Sequence, residues 1–383
     1  MARLEEIQAF GELVKAGLWE KEVALLPYGE VDYEKILRIS EEQSVVGLVA
    51  AGIEQIKDIK IPQKYVLLFV GEALMLEKRN LDMNHDIEKL IPEMHKEGIN
   101  TLLVKGQGIA QCYERPLWRA CGDIDLFLDN DNYRKAKSFF SAAQIISQEA
   151  DYYKHISFSF SSWVLELHGT LRIGLWKKLD ESLDKLQKLT FSSPRHFRIW
   201  KNGGAEIALP SPNNDVIFVF THILQHFFRE GIGLRQICDW CRLIWAYRDE
   251  IDSCLLDKRI KEMRLTSEWK AFASLAVGTL GMPADAMPLY DNAPRWSRKA
   301  RKILRDALES RYLGNNNNTS AKHNFPLILR KMFSFFRHTR VGFRNFSIFP
   351  LDTIKIWLEM IITGMKATFK CLWEIYKEAY KEQ

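Results

Sequence analysis

The sequence predicts an α+β chain in which a compact mixed unit at residues 98–210 is flanked by helical regions on both sides. Three observations carry this. Apolar residues recur at helical spacing through most of the first hundred positions. Strict polar/apolar alternation then marks short strands near Asp123 and between His155 and His168. After Pro210 and Pro212 the helical pattern returns and persists.

Taken in order, Ile36, Ile39, Gln43, Val46 and Ala50 fall at helical spacing, and a longer pattern runs from Gln63 to about His95, with Pro62 at its start where a proline is tolerated. Gly98 ends it. The run Asn100–Lys105 is short and apolar, as a buried strand would be, and Gly106 and Gly108 break it. A helix is expected over Ile109–Arg115, stopped by Pro116. Asp123–Leu128 reads as a strand, and Asp129-Asn-Asp131 caps a helix expected to reach about Ile146. His155–Phe160 and Trp163–His168 form a hairpin turned at Ser161-Ser162, and a further pair is expected within 196–209 around Gly203-Gly204. Asn315–Asn318 reads as a linker. The expected division is 1–97 helical, 98–210 mixed, 211–314 helical and 319–383 a basic, Phe-rich helical tail.

Composition bounds the function. Apolar residues at 47% and charged residues at 27% exclude a disordered or fibrous chain. Six scattered cysteines do not make a disulfide framework, MARLEEIQAF is no secretory leader, and no apolar run is long enough to span a bilayer, so a cytoplasmic protein is expected. The net charge of +5 is local: seven basic residues and no acidic ones lie between Ser310 and Leu351, and without them 47 basic residues face 49 acidic ones. The body therefore carries no nucleic-acid signal. The interleaved phenylalanines and cations of 320–349 fit either a membrane surface or a protein contact, and covered rings with arginines at the rim are expected. The final stripe of Leu351, Ile354, Leu358, Ile361, Met365, Phe369, Leu372, Tyr376 and Tyr380 is expected to pack inward.

The strongest chemical signal is Asp123 and Asp125. Residues two apart on a strand share a face, so both carboxylates project together while Ile124 and Leu126 bury the other side. Glu166 and His168 repeat the pattern on a later strand. Clustered carboxylates repel unless a cation lies among them, and hard oxygen donors suit Mg²⁺; three acids from two strands match a two-metal phosphoryl-transfer site. The plain alternative is a solvated strand edge. Lys105, Gly106 and Gly108 offer a point charge and bare backbone amides for phosphate, or simply a tight turn. Arg119 would neutralise phosphate or pair with the carboxylates.

The runs Val104-Lys-Gly-Gln-Gly-Ile-Ala-Gln-Cys-Tyr113 and Arg119-Ala-Cys-Gly-Asp-Ile-Asp-Leu-Phe-Leu128, with Leu165-Glu-Leu-His168 after them, resemble the signature of an uncharacterised bacterial nucleotidyltransferase family in the DNA polymerase beta superfamily. The resemblance covers roughly 98–250. It implies a small mixed sheet with helices, and a Mg²⁺-dependent enzyme that moves a nucleoside monophosphate from a nucleoside triphosphate to an unidentified hydroxyl acceptor. Asp123, Asp125 and Glu166 would be catalytic and metal-binding; Lys105, Gly106, Gly108, Arg119 and Gly122 would bind nucleotide. His168, His222, His226, Arg235 and Asp239 would line the cleft. Two departures stand out: Gly106-Gln107 replaces the superfamily's glycine-serine pair, and the gap from Gly106 to Asp123 is longer than usual. The first favours the rival reading, a non-catalytic nucleotide- or partner-binding protein of the same fold. Apart from the resemblance, His222 and His226, four apart on a helix without a third ligand, read as packing or hydrogen-bonding residues, Arg235 and Asp239 as a helix-face pair, and Cys238 and Cys241 as core thiols.

Overall fold

The structure, a computed structural model, describes residues 4–143, 155–314, 341–359, 361–362 and 373. Helices α1 (Leu4–Trp19), α2 (Tyr33–Glu42) and α3 (Val46–Glu54) precede α4 (Gln63–Lys96), for which Pro62 stands at the N-cap. The spacing read through 36–50 is divided between α2 and α3 by Ser44, whose φ is 56°. The second half of α4 presents Met83, Ile87, Leu90, Ile91 and Met94 to the sheet.

The sheet has strands β1 (Leu102–Val104), β2 (Asp123–Phe127), β3 (His155–Phe160) and β4 (Trp163–His168) in the order β1-β2-β4-β3. β2 runs antiparallel to β1 and parallel to β4, and β3 and β4 form the antiparallel hairpin expected from Ser161-Ser162. Between β1 and β2 a single turn, α5 (Gly106–Ala110), takes the place of the expected 109–115 helix. The amides of Cys112 and Tyr113 bond the carbonyls three residues back, and this tightening ends the helix before Pro116. Asp129 caps α6 (Asn130–Ala142) by accepting from the amides of Asp131 and Asn132; the expected extension to Ile146 lies outside the described residues. Helix α7 (Lys177–Thr190), unanticipated from the sequence, leads to a separate hairpin of β5 (Phe197–Asn202) and β6 (Ala205–Pro210) turned at Gly203-Gly204. The chain is helical thereafter: α8 (Pro212–Arg229), α9 (Leu234–Ala246), α10 (Ser253–Met263), α11 (Thr266–Gly278) and α12 (Pro294–Gly314).

Strand β2 separates two hydrophobic clusters, and this fixes the site. Ile124, Leu126 and Leu128 join α4, α6, Leu165 and Leu167 in one. Phe127, on the opposite face with Asp123 and Asp125, joins the helical body formed by α1, α3, α8, α9 and α11. The aspartates therefore look toward the helices.

Residues 341–346 and 350–359 are helical. Phe349 packs on Phe227 and Phe228 with ring centroids 5.8 and 6.0 Å apart, and Asn345 Nδ2 donates to the Phe227 carbonyl at 3.1 Å. Coverage of the described phenylalanines is uneven: Phe349 is buried, Phe346 is 44% exposed and Phe343 67%. The stripe Leu351, Ile354, Leu358 and Ile361 is exposed, contrary to expectation, because Phe349, Thr353 and Ile356 turn the other side inward. Asn315–Asn318 and residues 319–340, with Phe325, Phe333, Phe335 and Phe336, lie outside the described residues, as do Met365, Phe369, Leu372, Tyr376 and Tyr380 of the stripe. No helix among the described residues is long and apolar enough to cross a membrane.

Candidate active site

The parallel pairing of β2 and β4 sets Asp125 beside Glu166 and Phe127 beside His168. Leu165 and Leu167 point into the sheet's own core, so Glu166 and His168 share the face of Asp123 and Asp125. Lys105 follows β1, whose last residue Val104 is paired with Asp125. Its ammonium reaches Asp125 Oδ1 at 2.7 Å, and His168 Nε2 meets the same oxygen at 2.7 Å. His168 Nε2 also lies 3.3 Å from Glu166 Oε2, which His155 Nε2 approaches at 3.1 Å. The two imidazoles stack with centroids 4.6 Å apart. Lys105 adopts φ 57°, ψ −144°, a region suited to glycine, at a cost of about 1–3 kcal/mol.

Electrostatics separates the acids. Burial raises the pKa of Asp123, and the neighbouring Asp125 charge raises it further against the pull of Lys105 and Arg235. Burial also works against ionised Asp125, but Lys105 and His168 overcome it and hold its pKa below the usual range. Hydrogen bonds from His155 and His168 hold Glu166 well down. His168 is disfavoured as a cation by burial and by Lys105, yet Asp125 and Glu166 raise it overall. Across the cleft on α8, His222 is kept neutral by burial and by Lys105, His226 and His168. His222 and His226 face each other, Nε2 to Nε2, at 3.2 Å, and His226 Nδ1 lies 3.4 Å from Glu230.

The remaining predicted residues divide. Gly106, at φ 37°, lies against the start of β2, where a Cβ would sit 3.2 Å from Cys121 Sγ. Gly122 is open to solvent next to Asp123. Gly108 turns away: a Cβ there would meet Leu209 of β6 at 3.0 Å, so its smallness serves packing rather than phosphate. Arg119 is also elsewhere. Its Nε and Nη2 donate to Asp239 Oδ1 and Oδ2 at 3.0 and 2.7 Å, Tyr113 Oη donates to the same carboxylate at 2.7 Å, and both ions are buried. That pair bolts the loop before β2 to α9, and leaves neither charge for phosphate or for the acids of β2. Arg235 does not pair with Asp239 as the helix spacing allowed; its Nη1 donates to the Ala120 carbonyl at 2.6 Å, near enough to Asp123 to lower its pKa. Cys238 and Cys241 are buried thiols in the helical core, as expected.

Two residues escaped sequence reasoning. Asn80 of α4 binds the carbonyls of Leu117 and Arg119 and accepts from Gln107 Nε2 at 2.7 Å, so Gln107 is buried and held by α4. His155 was legible in principle: a two-residue turn pairs Phe160 with Trp163 and, counting outward, His155 with His168. Among the described residues, His155, Glu166 and His168 offer donor atoms all within 4.8 Å of one another. One carboxylate beside two imidazole donors fits a divalent cation; Asp123 and Asp125, expected as ligands, are not in this group. A cavity of about 180 Å³ under the C-terminal helices, lined by Phe228, Arg229, Asn345 and Trp357 among others, holds none of these groups.

The small mixed sheet thus presents acids from two parallel neighbouring strands, with a lysine at the adjoining strand end. The family model for uncharacterised nucleotidyltransferases matches residues 29–281, and the chain belongs to that family. The match begins before the sheet and extends through α11, so it takes in the helices that face the acids as well as the strands. No curated protein and no solved structure matches the chain.

Proposed function

We propose that this protein is a Mg²⁺-dependent nucleotidyltransferase that moves a nucleoside monophosphate from a nucleoside triphosphate to a hydroxyl acceptor and releases pyrophosphate. The observation that carries the reading is the gathering of Asp123, Asp125 and Glu166 on one face of two paired parallel strands. These three side chains would hold Mg²⁺, whose chemistry when bound is to neutralise phosphate oxygens and to acidify a nearby hydroxyl. Glu166, kept ionised by His155 and His168, accepts a hydrogen bond from the acceptor hydroxyl and orients it for in-line attack on the α-phosphorus. The new bond joins that oxygen to phosphorus, the bond to the β-phosphate oxygen breaks, and pyrophosphate leaves with the pair of electrons. Lys105, released from Asp125, supplies positive charge to the departing phosphates. Neutral His222 and the guanidinium of Arg235 face the cleft from the helical side and contact the acceptor.

The test is direct. Nucleoside triphosphates should raise the melting temperature only when Mg²⁺ is present, and pyrophosphate should then be released by the wild type but not by Asp123→Asn. Gln107, which brings no hydroxyl to the site, favours the second reading, a non-catalytic binding protein. Stabilisation without pyrophosphate release, tested with cell extract as the source of acceptor, would select it. Mass spectrometry of products formed from labelled triphosphates would identify the acceptor.

A further inference from the structure

We infer that His155, Glu166 and His168 form a cation site, overlapping the proposed transfer centre at Glu166 and suited to a first-row transition dication such as Co²⁺, Mn²⁺ or Zn²⁺ rather than to Mg²⁺. The three donor atoms all lie within 4.8 Å of one another, and the carboxylate stands at ligand spacing from each imidazole. Glu166 Oε2 lies 3.1 Å from His155 Nε2 and 3.3 Å from His168 Nε2. Donors bonded at about 2.1 Å to one ion, at angles between square and tetrahedral, stand roughly 3.0–3.4 Å apart. The scaffold is stiff, because His155 and His168 are directly opposed across an antiparallel pair and Glu166 is two residues from His168 on the same strand and face. The site is reachable: side-chain exposures of 45%, 24% and 20% for His155, Glu166 and His168 leave room for water or a substrate oxygen to complete the shell.

The donor set decides the ion. Two imidazoles and one carboxylate favour borderline metals in the order Mn²⁺, Fe²⁺, Co²⁺, whereas Mg²⁺ prefers oxygen donors and retains its waters. His168 Nε2 lies between Asp125 Oδ1 at 2.7 Å and Glu166 Oε2 at 3.3 Å, so one nitrogen faces both carboxylates. The site shares Glu166 with the proposed transfer centre, but it goes beyond that reading and does not require nucleotidyl transfer.

The experiment uses the full, tag-free chain and Co²⁺ as the probe, read by its visible d–d absorption and by calorimetry. One equivalent should bind with imidazole-type bands. His155→Gln, which alters a half-exposed side chain, should weaken Co²⁺ binding about tenfold or more while leaving the melting temperature of the metal-free chain unchanged. His168→Gln should weaken Co²⁺ binding as well. The inference is overturned if Co²⁺ does not bind, or if His155→Gln binds it as the wild type does while Asp123→Asn loses it, which would put the ion on the aspartates. Histidine-dependent Co²⁺ binding in a chain that releases no pyrophosphate under any condition would sustain this site and remove the transferase reading.

Discussion

Two charge clusters draw on the residues before and on β2, one buried and one partly open, and they are built differently. In one, Arg119 and Asp239 meet through two hydrogen bonds with Tyr113 adding a third, and the charges balance one to one. In the other, Asp125 and Glu166 pair with Lys105, His155 and His168, Asp123 feels Lys105 and Arg235, and the site is partly open. A closed, balanced pair holds elements together. An anionic surplus that reaches solvent, with strain stored at Lys105, is an arrangement that stability alone does not reward.

The contrast can be broken by mutation. Asp239→Ala leaves the Arg119 guanidinium buried and uncompensated, and should cost about 3–5 kcal/mol in denaturant unfolding. Asp123→Asn should do the reverse. Its carboxylate is raised by burial and by Asp125, so neutralising it should leave stability unchanged or improved at neutral pH. Pyrophosphate release should fall about a hundredfold or more with the same change. Severe destabilisation by Asp123→Asn would show that the β2 acids are structural, and would erase the distinction.

Glu268 sharpens it. This residue of α11 is fully buried, and its pKa is driven far up by burial and then by the neighbouring Asp352. Burial and the Asp352 contact outweigh the opposing pull of Lys299, so the pair keeps a proton. A folded pKa above the unfolded one means that the stability is present below the unfolded value near 4.5 and is lost as pH rises from there through the folded value. Glu268→Gln should therefore match the wild type at pH 4 and exceed it in melting temperature at pH 8. In the wild type the loss should not be steeper than about 1.4 kcal/mol per pH unit. A pH-independent difference would mean that Glu268 does not hold its proton. The smallest effect concerns ligands: Lys105→Ala should weaken triphosphate binding about tenfold and monophosphate binding little, because the ammonium faces the departing phosphates in the proposed geometry. Equal losses measured by calorimetry would place Lys105 elsewhere.

How much of the site was legible depends on range. The shared face of Asp123 and Asp125, like that of Glu166 and His168, follows from the two-residue period of a strand. The Ser161-Ser162 turn sets the register that brings His155 onto His168. Arg119 shows where such reading stops. Its position four residues before Asp123 says nothing about a partner 120 residues away on α9. Gly108 is similar: glycine after a strand fits a phosphate loop and a crowded packing site equally well, and only the position of Leu209 distinguishes them.

The sequence by itself determined the local periods: which residues alternate, where turns fall, and which acids point together. Tertiary structure alone decided that β4 lies parallel beside β2, that Arg119 belongs to Asp239, and that His222 of α8 approaches Lys105 and His168. The physical reason is that strand and turn geometry is fixed by neighbouring backbone dihedrals, whereas the partner of a buried charge is chosen by the packing that removes water from it.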